Sequence, residues 1–293
     1  MRLTGKRHKL LGDRELVHMR RAGLVVAAIH AALREAVAPG RTTAEMDEVS
    51  AAAIEAAGAR SNFKGYHGFP ATVCISVNEE IVHGIPGKRV LKEGDVVSFD
   101  CGAYVTDEIG RQWHSDACFT TIVGGLESGS VEDRALLMAT EEARDAAIAA
   151  VARNAAKNAA HVGDVGDAVE NVISRWMGKT GHEYGIPEEF TGHGIGNVLH
   201  DEPEILNYRT RSRGPRLRPG QVICIEPMLT IGSGENKTLA DGWTAVTRDG
   251  SRAAHFEHTV AIMDGGVWVL TAPDGGEALL APYGLKPVTL PTD

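Results

Sequence analysis

Cysteine and aromatic residues are both scarce in this chain. Only four of its 293 residues are Cys, and 5% are Phe, Trp or Tyr. No two cysteines form a CxxC pair, so the usual spacing of a structural zinc site is lacking. Each cysteine lies in or beside a strand-like run, which predicts buried free thiols in a reducing compartment. The four are Cys74, Cys101, Cys118 and Cys224.

A basic excess and long apolar runs are also lacking. The chain has 30 Lys and Arg against 39 Asp and Glu, a formal net charge of −9, which disfavours a nucleic-acid-binding surface. The basic start is not followed by an apolar core of signal-peptide length. No stretch approaches the roughly 18–20 apolar residues of a membrane span. We therefore expect a cytoplasmic protein that binds neither nucleic acid nor membrane.

Two stretches of the sequence resemble one strand written twice. The segments LKEGDVVSFD and LRPGQVICIE each combine a glycine with a short apolar run, which predicts a turn and a buried strand. They end on Asp100 and Glu226, which are 126 residues apart. His67 and His193, each among glycines, have the same separation. The constant offset indicates a duplicated half and not a solenoid of short units.

Helical periodicity predicts the same plan in both halves. We expect helices at Leu16–Val37, Ala44–Ala57 (capped at Thr43), Glu132–Ala160 and Val165–Met177. We expect strands at 72–77, Val96–Asp100, Ala117–Val123, Val222–Glu226 and His255–Ile262. Residues 1–293 are predicted to form a single catalytic domain, with halves at about 12–128 and 129–264 and a C-terminal tail at 265–293. The tail begins with a short apolar run, Val267–Leu270, and the Pro- and Gly-rich sequence after it is expected to be irregular.

Four carboxylates and one imidazole are candidates for a metal site. An acid at the end of a buried strand is costly to bury unless a positive group meets it. Four carboxylates exceed the need of one divalent ion and suit two ions about 3.5–4 Å apart. The mix suits Mn, Fe(II), Co or Zn. Taken singly, each residue also fits a turn, a cap, a loop or a solvated edge. The candidates are Asp100, Asp116, His193, Glu226 and Glu257.

Several ordered motifs resemble the methionine aminopeptidases. They are VCISVNE (73–79) with HGIP (83–86), SFDCG (98–102), HSD (114–116), GHGIG (192–196) with HDEP (200–203), IEPM (225–228), DGW (241–243) and FEHT (256–259). The resemblance covers about residues 10–264. It implies the α/β (α+β) pita-bread fold, with two pseudo-symmetric halves around a curved antiparallel sheet and helices on the outer face. With no large insertion before Glu226 and no Cys/His-rich extension, the chain resembles the short bacterial type I form.

The resemblance also implies an activity. Two divalent metal ions would activate water to release the N-terminal methionine of nascent proteins, with a small second residue preferred. Glu226 would be both a metal ligand and the general base. His83 would contact the scissile nitrogen and His200 the substrate carbonyl. The implied methionine pocket consists of Phe63, Tyr66, Phe69, Cys74, Leu199 and Trp243, with Leu199 where an aromatic side chain is expected.

One segment departs from the family pattern. The hairpin between Asp100 and Asp116 is about five residues longer than expected, an insertion that costs little free energy. It adds Asp107 and Glu108, which leaves Asp107 as an alternative ligand to Asp116. We further expect a monomer whose partners are the N-terminal peptides of nascent proteins, and a transient ribosome association stays open.

Two rival functions share features with this reading. Aminopeptidase P, prolidase and creatinase carry similar metal motifs, but they also carry a sizeable N-terminal domain, for which the residues before Val96 leave no room. A non-catalytic binding module on the same scaffold would typically have lost metal ligands, whereas all five candidates are present. X-Pro cleavage would favour the first rival, and absence of metal would favour the second.

Overall fold

The structure, a computed structural model, describes residues 10–290. Its α-helices are α1 Asp13–Ala36, α2 Thr43–Ala56, α3 Val131–Ala155, α4 Gly163–Thr180 and α5 Glu277–Leu280, with 3₁₀ turns at Tyr66–Gly68, Leu126–Ser128 and Ala281–Tyr283. Its strands are β1 Arg60–Ser61, β2 Val73–Val77, β3 Glu80–Val82, β4 Val96–Thr106, β5 Gln112–Ile122, β6 Tyr184–Gly185, β7 Gly192–Gly194, β8 Asp201–Ile205, β9 Val222–Ile225, β10 Met228–Ile231, β11 Asn236–Thr238, β12 Ala245–Thr247, β13 Ala253–His255, β14 His258–Met263 and β15 Gly266–Val269.

The four long helices confirm the predicted helical segments, with shifted ends. The α2 cap is Thr42 and not Thr43: the Glu45 N–H donates to the Thr42 hydroxyl at 3.2 Å, and the Thr42 N–H donates to the Glu45 carboxylate at 2.7 Å. This reciprocal pair is a capping box. The Thr43 hydroxyl instead donates to the Gly87 carbonyl at 3.1 Å. Helix α3 ends at Ala155, before the predicted Ala160.

Three strand predictions need correction. Strands β4 and β5 form one long hairpin, paired from Val96 with Ile122 to Thr106 with Gln112, so β4 continues through Asp100. The predicted strand His255–Ile262 is interrupted, because β13 pairs with β10 whereas β14 pairs with β9. In the tail, the apolar run forms most of β15, which pairs with β14, and the part predicted to be irregular contains the short helix α5.

Antiparallel strands and an outer layer of helices make up the fold, as predicted. One sheet places β1 and β2 against one side of β4 and β5 against the other. A second runs β15-β14-β9-β7-β8, and two three-stranded sheets are β13-β10-β6 and β11-β12-β3. Helix α1 packs on β4 and β5, and α3 packs on β10, β13, β14 and β15. The buried core between these layers includes Phe99, Phe119 and Leu136.

The duplicated segments make the same turn. We call residues 12–128 the first half and 129–264 the second half. The Gly94 N–H donates to the Val123 carbonyl at 2.9 Å, and the Gly220 N–H donates to the Ile262 carbonyl at 2.9 Å. Both glycines are left-handed, with φ of 82° and 88°, a conformation that other residues adopt at a cost. The glycine in each copy is therefore required by its backbone.

Strands β2 and β7 also occupy matching places. The residue that follows each strand donates its N–H to the carbonyl of the first residue of the duplicated strand. These hydrogen bonds join Asn78 N–H to Val96 O at 2.8 Å and Ile195 N–H to Val222 O at 3.0 Å. Counting back two residues from each donor matches His193 with Ser76. The predicted match of His193 with His67 is wrong, because His67 lies in a 3₁₀ turn before β2.

Helix α1 requires one further correction. Within residues 10–290 it is the helix that is long and apolar enough to cross a membrane, with a mean hydropathy of 1.3 over its best window. Core helices of soluble proteins pass the same test. Helix α1 buries Leu16, Met19, Ile29 and Leu33 inside the fold.

Candidate metal centre

A cavity of about 720 Å³ opens between the two halves. Every site residue predicted from the sequence lines it, from either half of the chain: Phe63, Tyr66, Phe69, Cys74, His83, Asp100, Asp116, His193, Leu199, His200, Glu226, Trp243 and Glu257. The alternative ligand Asp107 does not line it. The fold thus collects groups that are far apart in sequence into one chamber.

The β4–β5 hairpin places two acids on one face. Asp100 pairs with Cys118, and Asp116 pairs with Gly102. Since paired residues share a face and alternate residues return to it, both carboxylates project to the same side of the hairpin. Glu257 reaches this side from the break between β13 and β14, where its N–H donates to the Cys118 carbonyl at 2.9 Å. The break in the predicted strand is therefore what places Glu257 beside β5.

Three of the acids meet without a partner. Carboxylate oxygens of Asp100, Asp116 and Glu257 lie within 4.8 Å of one another. One oxygen of each is fully buried and has no hydrogen-bond partner among the described residues. Buried polar atoms are almost always hydrogen-bonded, and unpaired buried charge is costly. A divalent cation bound by these oxygens would satisfy them, so the donor set fits a metal ion. Glu257 is 2% exposed, which excludes a solvated edge.

The same crowding shifts the acid equilibria. Burial raises the pKa of Asp100 to about 7. Burial, and next the charge of Glu257, raises the pKa of Asp116 and of Glu226 well above the usual range. Burial and the charge of Asp100 do the same for Glu257. These groups cannot all ionise near neutral pH unless positive charge enters the cavity.

His193 is held in the tautomer that suits a metal ligand. Its Nδ1–H donates to the Gly194 carbonyl at 3.0 Å, which leaves Nε2 free, 3.4 Å from a carboxylate oxygen of Glu226. Burial lowers the pKa of His193 to about 3, so the ring is neutral at pH 7. A ring nitrogen of His193 also lies within 4.8 Å of Cys224 Sγ and of a Glu257 carboxylate oxygen, all of them atoms that could bind a metal ion. Glu257 therefore belongs to both donor groups.

An apolar pocket adjoins the acids. The Phe63 and Phe69 rings are 6.4 Å apart edge to face, and Phe69 and Trp243 are 5.1 Å apart. Cys74 and Leu199 complete the wall, each 4% exposed. The thiol is free, as are the other three cysteines, which confirms the sequence prediction. Aromatic and sulfur-bearing walls suit a flexible apolar side chain.

Two neutral imidazoles stand at the cavity. Burial, and next the charge of His200, lowers the pKa of His83 to about 4. Burial, and next His67, lowers the pKa of His200. His200 Nδ1 is 2.8 Å from the Tyr66 hydroxyl, and its ring centroid is 4.4 Å from that of His193. His83 has a left-handed backbone with φ of 61°, which is costly for a residue with a side chain. Neutral rings can donate or accept one hydrogen bond at each nitrogen.

Two threonine hydroxyls hold the halves together behind the acids. Thr259 Oγ1 donates to the Asp116 carbonyl at 2.6 Å and accepts from the Asp116 N–H at 2.9 Å. Thr120 Oγ1 donates to the His255 carbonyl at 2.7 Å and accepts from the His255 N–H at 2.9 Å. In each contact, a threonine hydroxyl of one half bonds both the N–H and the carbonyl of one residue in the other half. Asp116 and His255 are therefore matched positions of the two halves.

His255 is a buried polar lining residue that the sequence reasoning missed. It stands two residues before Glu257, the spacing that puts two side chains on one face of a strand, and it lines the cavity with Phe190 and Met228. Asp107 is bound elsewhere: its carboxylate accepts from Arg111 Nε at 2.7 Å and from Trp113 Nε1 at 3.1 Å. The hairpin acid is thus engaged by its own turn.

Comparisons with known proteins agree with this geometry. The family model described as metallopeptidase family M24 matches residues 17–264. The chain is 42% identical over 258 residues to methionine aminopeptidase 1 of Bacillus subtilis, covering 88% of this chain and 96% of the relative. It is 44% identical over 259 residues to methionine aminopeptidase 1 of Mycobacterium tuberculosis, covering 88% and 92%.

Solved structures point the same way. The methionine aminopeptidase of Thermotoga maritima matches with a TM-score of 0.79 at 35% identity, over 90% of this chain and 98% of that one. The prolidase of Pyrococcus furiosus, at 19% identity and a TM-score of 0.67, shares the fold alone, and the match spans 65% of its length. Methionine aminopeptidases of this family use divalent metal ions, which the orphaned acids fit. The chain therefore belongs to metallopeptidase family M24, as a metal-dependent aminopeptidase of the type I methionine class.

Proposed function

We propose that the chain removes the N-terminal methionine of nascent proteins with two divalent cations bound in the cavity. The observation that carries this proposal is a set of buried carboxylate oxygens, without hydrogen-bond partners among the described residues, beside an apolar pocket. The cations would supply a water of lowered pKa and a positive field on the scissile carbonyl. The residues proposed to hold them are Asp100, Asp116, His193, Glu226 and Glu257.

Glu226 would act as the general base. Glu226 is 9% exposed, and its carboxylate has an imidazole on either side, His193 at 3.4 Å and His255 at 3.8 Å. A carboxylate in this place would take the proton from the attacking water and pass it to the departing amine. The Asn207 amide donates to the Glu226 carbonyl at 3.1 Å, which fixes the backbone from which the side chain projects.

His83 and His200 would contact the peptide. Both are neutral at pH 7 because burial lowers their pKa. A neutral imidazole can donate its N–H to the oxygen or nitrogen of the bond being broken. The Tyr66 hydroxyl at 2.8 Å from His200 Nδ1 orients that ring. Replacing His83 or His200 with Ala should lower turnover and leave the metal content intact.

The apolar pocket would take the methionine side chain. Phe69 and Trp243 form its aromatic wall, and sulfur–ring contacts are worth about 0.3–1.5 kcal/mol each. Asp241 accepts from the N–H groups of Trp243 and Thr244, both at 2.9 Å, and so anchors the loop. Leu199 in place of an aromatic residue makes the pocket wider. A small second residue should be preferred on steric grounds.

The remaining proposals concern the localisation, oligomeric state, metal identity and domain organisation of the enzyme. A substrate that begins with methionine appears first on a growing chain, which supports a cytoplasmic enzyme that meets its substrates near the ribosome. We also propose that the enzyme is a monomer. The oxygen-rich donor set with one imidazole suits Mn, Fe(II), Co or Zn. The whole of residues 1–293 would act as a single catalytic domain, since both halves contribute to one cavity.

Metal add-back to stripped enzyme tests the proposal. Enzyme freed of metal should release methionine from Met-Ala-Ser only after Mn, Fe(II), Co or Zn is returned, each tried separately. Met-Leu peptides should react far more slowly than Met-Ala peptides. The D107N variant is the matched control, because Asp107 is an acid outside the cavity. Equal activity in stripped enzyme would overturn the metal requirement, and faster cleavage of X-Pro peptides would favour the prolidase-like rival.

A further inference from the structure

His255 is a buried imidazole with no partner assigned to it. It is 1% exposed, and neither ring nitrogen has a hydrogen-bond partner within the described part of the chain. The ring lines the cavity, and Nε2 lies 3.8 Å from the second carboxylate oxygen of Glu226. A buried imidazole left without partners is costly, so its retention here requires an explanation.

The backbone of His255 is held as firmly as that of Asp116. Thr120 bonds both the N–H and the carbonyl of His255, at 2.9 and 2.7 Å. Because Thr259 does the same for Asp116, the two residues occupy matched places in the two halves. The matched position accounts for the direction of the ring, since in each half this residue faces the cavity. His255 is thus placed by the fold and does not merely fill space.

We propose that His255 is a positioning residue that holds the Glu226 carboxylate through an Nε2–H donor on the oxygen opposite His193. A separation of 3.8 Å is long for a hydrogen bond, but such contacts often shorten when a site is assembled with its substrate. A donor on this oxygen would fix the orientation of the carboxylate. The inference rests on the proposed function, because it requires Glu226 to be a ligand and base.

The geometry favours positioning over direct metal binding. Two groups of donor atoms lie within 4.8 Å of one another among the described residues, and His255 belongs to neither. Nε2 of His255 faces a carboxylate oxygen of Glu226 at 3.8 Å. An imidazole with its proton on Nε2 has one N–H to donate there. A neutral donor that touches a ligand from outside is the usual second partner of a metal-binding carboxylate.

Two replacements separate the donor from the bulk of the ring. H255Q keeps a side-chain N–H of similar reach, and H255L keeps volume without a donor. We expect H255L to lower kcat on Met-Ala-Ser by about 10–100-fold with little change in KM, the range typical of outer partners of ligands. Calorimetric titration of stripped enzyme with Mn(II) should show weaker binding by a similar factor. H255Q should restore both to within a few-fold of the parent.

Controls keep the outcomes distinct. H30Q alters a partly buried histidine that bonds the Ala117 carbonyl outside the cavity, and it should leave kcat and Mn(II) affinity unchanged even if the melting temperature falls. Parent-like kcat and Mn(II) affinity in H255L would overturn the inference. Loss of one Mn(II) equivalent in both H255Q and H255L would also overturn it, by making His255 a ligand. If E226Q is inactive while H255L keeps the parental kcat and Mn(II) affinity, only this inference fails. If E226Q stays active, the proposed function fails.

Discussion

Asp116 of the first half and His255 of the second half occupy matched positions, and the backbone of each is hydrogen-bonded to a threonine of the other half. The backbone contact is the same, but the side chain that it presents differs. Counting two residues from the same threonines matches Cys118 of the first half with Glu257 of the second. A duplicated backbone therefore fixes where a side chain projects without fixing what that side chain is.

The two halves contribute different chemical groups to the cavity. The first half contributes two acids, Asp100 and Asp116, both from inside a continuous hairpin. The second half contributes its proposed ligands from the short strand β7, from the end of β9 and from a strand break, and these include the imidazole nitrogen of His193. Among the proposed ligands, the first half thus supplies only oxygen and the second half supplies both oxygen and nitrogen, a mixture that suits a divalent metal site.

Changing the matched acids of the two halves should have the largest effect. E226Q should lower kcat/KM by roughly 10³-fold or more, because the general base alone is worth about 10²–10⁴-fold. D100N should also reduce activity, but excess Mn(II) should recover part of it, since Asp100 is proposed only as a ligand. Steady-state rates on Met-Ala-Ser across a series of Mn(II) concentrations measure both. If the two variants respond alike to Mn(II), the proposed division between halves is wrong.

The pH dependence of the stability of the metal-free enzyme tests the role of Asp100, an acid of the first half. The folded pKa of Asp100, about 7, lies above its ordinary value of 3.8. Its contribution to the stability of metal-free enzyme is thus present below pH 4 and is lost as pH rises towards 7. Metal-free D100N should gain on the parent by on the order of a few kcal/mol across that range. Metal-loaded D100N should instead be less stable than the loaded parent.

Urea unfolding of both proteins at pH 5 and pH 7.5 measures this difference. The paired design matters because buried histidines act in the opposite direction. Burial lowers the pKa of His193 to about 3, so its contribution to stability grows as pH rises to 6.5. That contribution is common to parent and variant and cancels between them. A difference that does not depend on pH would show that Asp100 titrates normally in the metal-free enzyme.

The two threonine contacts offer a third and smaller test. T259V and T120V each leave a buried N–H and carbonyl of the other half unsatisfied, which should cost about 1–3 kcal/mol per variant. T259V should also weaken Mn(II) binding, because it releases Asp116. T120V releases His255 and should affect kcat more than Mn(II) affinity. Denaturant unfolding and calorimetry together check this, and identical profiles would mean that the matched positions have equivalent roles.

The sequence predicted the acids better than the elements that carry them. Asp100 was found because a charged residue after an apolar run is costly to bury and therefore stands out. The same reasoning placed the strand end at Asp100, whereas β4 continues to Thr106. The cost of the buried acid would be offset at the cavity by the proposed metal ions. A pattern of hydrophobicity cannot show that compensation.

His255 and the threonine contacts had no comparable signal. Thr259 and Asp116 are 143 residues apart, and Thr120 and His255 are 135 apart. Such contacts arise only when the halves pack, and nothing local in the chain marks them. His255 shares a face with Glu257 by strand spacing. However, the strand was expected to be continuous, and its break between β13 and β14 is what turns both residues towards the cavity.

The tip of the β4–β5 hairpin gives the smallest expected effect, because the second half has no counterpart to it. Asp107 accepts from Arg111 and Trp113 side chains, and Arg111 also reaches Glu15 of α1 at 3.2 Å. Burial would raise the pKa of Asp107, but these hydrogen bonds hold it well below the usual range.

D107N should therefore lower the melting temperature by a few degrees and leave Mn(II) affinity and kcat at parental values. E108Q is the matched control, since its carboxylate is exposed at the same tip, and it should change none of the three. If D107N loses metal, the longer hairpin supplies a ligand. The first half would then contribute a metal ligand from the turn of the hairpin as well as from its strands. The difference between the two halves would in that case include the longer hairpin.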